Sequence, residues 1–160
     1  MSAPLVPLRL PGNWAICYNS FGDEDMVVVK GRIENFYYYK EDLLWLQSMR
    51  RAANEDVVYE LDPTGWLADV GWYPDGDPTG AYTLRVFRAS PDIATEGWPA
   101  EHPTFRSPNR HHIASVLEHV IHRIWFLNDS ESASHQRLMA LQLLYDQSKL
   151  DDFLREITRE

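Results

Sequence analysis

Residues 69–87 read DVGWYPDGDPTGAYTLRVF. Aromatic and β-branched residues flank a cluster of Pro, Asp and Gly, so WLADVGWY (66–73) and YTLRVFRA (82–89) read as a strand pair joined across PDGDPTGA (74–81). Within the connection, Asp75, Asp77, Thr79 and Gly80 have the spacing D-x-D-x-T-G of a candidate metal loop. An EF-hand needs a bidentate Glu at its twelfth position, and counting from Asp75 that position is Val86, a strand residue. Gly76 and Gly80 tolerate positive φ, Pro78 sets a turn, and Asp side chains bond nearby amides. A hairpin connection therefore accounts for every residue of the loop.

Working outward from this hairpin, VVYELDPTG (57–65) offers a further strand and turn, and NWAICYNSF (13–21) a β-branched and aromatic strand. DMVVVKGRIENFYYY (25–39) reads as a strand or an ordered extended segment. KEDLLWLQSMRRAAN (40–54) sets Leu43, Leu44, Trp45 and Leu46 among helix formers, with acids early and Arg50 and Arg51 late, which predicts a short helix. On the other side, prolines at 91, 99 and 103 predict a surface loop from Ser90 to Arg106, of a length often tied to function. Ser107 can cap a helix whose first position is Pro108, and Ile113, Val116, Leu117, Val120, Ile121 and Ile124 form its apolar stripe. After a break at Asn128–Ser130, residues 131–147 predict a second helix, and Ser148 with Asp151 suggests a capping box for a last one through Ile157. Strands first and helices last predict an α+β fold, a mostly antiparallel sheet from the N-terminal two thirds packed against C-terminal helices, in one domain of residues 1–160.

The composition narrows the function. With 44% hydrophobic residues and 20 aromatic ones (6 Trp, 8 Tyr, 6 Phe), the 160-residue chain can bury a core unaided, with rings to spare for an interface. The single cysteine, Cys17, excludes an intramolecular disulfide framework and is expected to be a small buried hydrophobe. Prolines at 4, 7 and 11 interrupt any secretory h-region, and no stretch reaches the roughly 18 apolar residues that span a bilayer, so a cytosolic location is expected. Of the net charge of −9, residues 23–77 carry −8, from 13 acidic and 5 basic residues. Such a field disfavours nucleic acid and anionic membrane and favours a basic partner.

Catalytic motifs are sparse. His119 and His122 lie three apart on the predicted helix, near His111 and His112, but without the H-E-x-x-H spacing of a zinc protease. There is no nucleophile elbow and no glycine-rich phosphate loop. NFYYYKEDLLW (35–45) is more informative: if Phe36 to Tyr39 are extended, alternate rings leave any one-sided core, and exposed Tyr and Trp beside acids make a binding surface for a basic protein.

LPGNW (10–14), NSFGDED (19–25), FYYYKEDLLWL (36–46), DVGWYPDGDPTGAYTLRVFR (69–88) and FRSPNRHHIASVLEHVI (105–121) together resemble the layout of small immunity proteins of bacterial polymorphic toxin systems, including contact-dependent growth inhibition. The likeness spans about residues 8–125. It implies a cytosolic, non-enzymatic inhibitor without a cofactor that blocks one cognate toxin domain, commonly a nuclease. The expected contact surface is Asp23, Glu24, Asp25, Tyr37, Tyr39, Glu41, Asp42, Asp75 and Asp77. The rival readings are a small metal-dependent hydrolase using the helix histidines and a general protein-binding adaptor.

Overall fold

The computed structural model describes residues 2–53, 58–97, 102 and 104–126. Its elements are β1 (Trp14–Asn19), β2 (Val28–Val29), β3 (Arg32–Ile33), β4 (Leu44–Arg51), β5 (Tyr59–Leu61), β6 (Trp66–Tyr73), β7 (Ala81–Arg88), α1 (Ile93–Glu96), β8 (Thr104–Ser107) and α2 (Arg110–Phe126). The chain is an α+β fold, an N-terminal antiparallel sheet packed against a C-terminal helix. The expected hairpin lies at its centre, with β6 and β7 paired from Trp66↔Arg88 to Tyr73↔Ala81.

Around the hairpin the sheet runs β1-β4-β6-β7-β8. β5 and β6 follow one another along β4, from Arg51↔Tyr59 to Met49↔Leu61 and then from Gln47↔Leu67 to Leu44↔Val70. Two neighbouring cross-strand rows show how the faces divide. Leu44, Val70, Leu84 and Phe105 are register partners in sequence across four strands, all at most 2% exposed, and form the core face. One residue along each strand, Trp45, Asp69, Arg85 and Thr104 make the corresponding row on the opposite face, because successive side chains alternate. In β1 the register slips between Ile16↔Leu46 and Tyr18↔Trp45, so two steps on β1 match one on β4. That extra residue, Cys17, turns Tyr18 onto the outer row beside Trp45.

α2 covers the core face over β7 and β8 with Ile113, Val116, Leu117, Val120 and Ile121, each at most 2% exposed, as the stripe predicts. Each such side chain contributes about 1.5–3 kcal/mol of burial. The helix begins later than expected. Ser107 ends β8 and accepts the Asn109 amide, while Asn109 Oδ1 accepts the amides of His111 (2.9 Å) and His112 (3.4 Å), so Asn109 is the cap. The predicted helices over 131–147 and 148–157, and the Ile124 side chain, lie outside the described residues.

Four further expectations are corrected. Residues 44–51 form the strand β4 instead of a helix, with Leu44, Leu46 and Ser48 turned to the core while Trp45 faces out. Helix preference differs by only tenths of a kcal/mol per residue, less than what burial of two leucines between β1 and β6 contributes. Phe36–Tyr38 form a 3₁₀ turn instead of an extended run. The loop expected over 90–106 contains the helical turn α1 and ends in β8, which completes the sheet on β7. Cys17 is exposed instead of buried, since the bulge lies on the outermost strand.

Candidate functional site

The acidic segments meet around Tyr39. A T-shaped contact with Trp72 (centroids 5.0 Å apart) and a tilted one with Tyr82 (5.9 Å) hold its ring in the core. Its hydroxyl donates to the Glu24 carbonyl (2.7 Å), and its own carbonyl accepts the Gly76 amide (3.0 Å). Tyr39 is 2% exposed and is therefore corrected from a contact residue to the pin beneath the surface, its phenol pKa raised by burial.

Next to it, the Glu41 amide donates to Asp75 Oδ1 at 3.0 Å. Residues 40–43 run against the end of β6, where the Trp72 amide donates to the Lys40 carbonyl and the Leu43 amide to the Val70 carbonyl. Gly71 makes this approach feasible, because a Cβ there would lie 1.7 Å from the Glu41 carbonyl oxygen. In the hairpin loop Gly76 adopts φ 63°, a left-handed conformation suited to glycine, with the Phe36 ring against it. Asp77 Oδ1 accepts both the amide and the hydroxyl of Thr79 at 2.8 Å, bonds that lower the Asp77 pKa, and the Trp72 indole donates to the Asp77 carbonyl. Asp77 thus builds the hairpin loop, while Asp75 ties the loop to the segment before β4. Glu41, Asp42 and Asp75 remain exposed and Asp77 partly so.

Asp23 and Asp25 are placed differently. Arg110, at the start of α2, donates from Nε to Asp23 Oδ1 (2.6 Å) and from an Nη to Asp25 Oδ1 (2.9 Å), and His111 Nε2 lies 3.2 Å from Asp23. The Arg110 hydrogen bond holds the Asp23 carboxyl below its ordinary pKa. This clamp ties the 23–25 segment to the helix and partly neutralises it, with Asp23 and Asp25 paired to Arg110 and Glu24 without such an ion pair among the described residues.

The outer row supplies what the sequence reading missed. Tyr18 and Trp45 are 38% and 47% exposed, and Tyr37 is 56% exposed. Lys40 Nζ donates to the Tyr18 hydroxyl (3.0 Å) and sits 4.5 Å from the Tyr37 ring centroid, which joins the 3₁₀ turn to the sheet face. Beside them a pocket of about 520 Å³ is lined by Cys17, Tyr18, Lys40, Asp42, Trp45 and Asp69. Asp69 is only 9% exposed, and its Oδ2 has no hydrogen-bond partner among the described residues. Burial pushes its carboxyl pKa up to about 7, against the opposing pull of Arg85 and with a small push from Asp42. The signal in the sequence was a lone carboxylate in WLADVGWY, a strand whose first seven residues are all buried.

The described histidines do not converge. Among the described residues no three His, Cys, Asp or Glu side chains are grouped to hold a metal, and His122 Nδ1–H donates to the Glu118 carbonyl of its own helix at 2.7 Å. No described helix is long and apolar enough to cross a membrane. Comparisons with protein-family models, with curated proteins and with solved structures found no match.

Proposed function

We propose that this chain is a cytoplasmic immunity protein that binds the C-terminal domain of a cognate bacterial toxin, a nuclease, and occludes its substrate groove. The observation that carries the reading is the bonding of the Glu41 amide to Asp75 and of the Gly76 amide to the Tyr39 carbonyl, which sets the segment bearing Glu41 and Asp42 against the hairpin loop, beside the exposed rings of Tyr37, Tyr18 and Trp45. A nuclease grips phosphates with Lys and Arg, and exposed carboxylates at the mouth of its groove compete for those cations. Acids steer the encounter and select the partner, while desolvated rings supply most of the affinity. Because the hydrogen bonds are internal, the surface is organised before the partner arrives and little ordering is needed on binding.

The test is capture by the tagged chain from lysate of the producing bacterium, with co-expression of whatever is retained. The expected result is one dominant partner, the C-terminal piece of a large secreted protein, whose toxicity to a host cell is suppressed by this chain. A captured toxin domain that kills equally well with the chain present would overturn the proposal.

A further inference from the structure

The aromatic mouth of the outer-face pocket already holds a cation. Lys40 Nζ lies against the Tyr18 hydroxyl and over the Tyr37 ring, and the hydrogen bond to Tyr18 raises the lysine's pKa. Deeper in, the Asp69 carboxylate is nine-tenths buried on an eight-residue strand, yet one of its oxygens lacks a hydrogen-bond partner among the described residues. The Arg85 guanidinium on the adjacent strand lies 4.1 Å from the Tyr73 ring centroid and, among the described residues, makes no hydrogen bond to that oxygen. A buried acceptor left unmet costs about 1–3 kcal/mol, and the cost is relieved when a donor enters. Asp42 adds a second carboxylate on the pocket wall and Trp45 a half-exposed indole.

We propose that this pocket receives an arginine side chain of the protein partner, its guanidinium bonded to Asp69 and Asp42 and stacked on Trp45. A guanidinium is planar, less strongly hydrated than an ammonium, and can combine carboxylate hydrogen bonds with stacking on an indole. The assignment rests on the proposed binding of a basic protein and names the contact that would anchor it.

The pocket can be tested without the toxin. Cys17 is the only cysteine of the chain and lines the pocket, so its alkylation by iodoacetamide reports occupancy. N-acetyl-L-argininamide should slow the reaction, about twofold when its concentration equals Kd. Its neutral counterpart N-acetyl-L-glutaminamide should not. Asp69→Asn should abolish the protection, and Asp92→Asn, an exposed residue outside the pocket, should preserve it. In the unaltered protein the protection should also be greater at pH 8 than at pH 6, since a charged Asp69 binds the cation better. Equal protection by the neutral amide, no protection at either pH, or protection that survives Asp69→Asn in a folded variant would overturn the assignment. Failure here with successful toxin capture removes the arginine pocket alone, whereas success here with no captured toxin removes the immunity reading alone.

Discussion

Asp75 Oδ1 accepts the backbone amide of Glu41 across 34 residues of sequence, at 3.0 Å. Through this bond the central hairpin loop sets the position of the segment leading into β4. Asp75→Ala should remove about 1–2 kcal/mol of stability, the low end for a hydrogen bond to a charged acceptor because this one is exposed. Asp75→Asn keeps an acceptor and should recover most of it while losing the charge. Urea midpoints of both variants check the order.

Asp69 makes stability depend on pH. Its folded pKa of about 7 lies above the ordinary 3.8, so between those values the folded chain retains a proton that the unfolded chain releases. Stability is full below about pH 4 on this account and falls as pH rises through 7, by up to about 4 kcal/mol at roughly 1.4 kcal/mol per unit. Arg85 and Asp42 act on the same carboxyl, in opposite directions. Asp69→Asn should flatten the decline, seen as a smaller change in melting temperature from pH 5 to pH 8.

Gly71→Ala places a methyl against the Glu41 carbonyl, a backbone atom that can move only with its segment. Overpacking of this kind costs about 1–3 kcal/mol. The variant should melt earlier, and its amide spectrum should shift at residues 40–42 as well as at the site of substitution.

The clamp at Arg110 acts at the opposite end of the pH scale. Asp23 has a lowered pKa, so the stability it contributes is present above the ordinary carboxylate value and is lost as pH falls through the folded one. Arg110→Ala should destabilise the chain by about 1–2 kcal/mol at neutral pH. The difference from the unaltered chain should shrink in acid below about pH 4, as read by denaturant midpoints.

Trp45 and Tyr37 are about half-exposed, so truncating either to Ala should cost no more than about 1–2 kcal/mol of stability. Affinity for the captured toxin domain should fall by at least about 2 kcal/mol for Trp45→Ala, roughly thirtyfold. Charge reversal at Glu41 and Asp42 should instead slow association and alter its salt dependence. Surface plasmon resonance at two ionic strengths separates the two effects.

The hairpin and the amphipathic stripe of α2 were legible because each has a local cause: turn residues between alternating strands, and apolar residues at helical spacing. β4 was not, since Leu, Gln, Met and Arg are good helix formers and only the neighbours β1 and β6 make an extended backbone preferable. The acids at 23–25, 41–42 and 75–77 were visible as residues. Their division into a helix clamp and a hairpin-locked surface was not, because it depends on contacts such as Arg110 with Asp23 that span 87 residues. Asp69 was hidden for a related reason. A carboxylate in a strand reads as solvent-facing until the strand is known to be covered on both sides.

The extra residue at Cys17 matters beyond the aiming of Tyr18. β1 is the last strand on its side of the described sheet, and its exposed Ile16 and Tyr18 would suit edge-to-edge pairing with a second chain. A bulge in mid-strand breaks the even spacing of main-chain donors and acceptors and increases the local twist, so a straight strand cannot zip along it. The irregularity thus makes edge-to-edge pairing of two copies along β1 less favourable, although Ile16 and Tyr18 are exposed there.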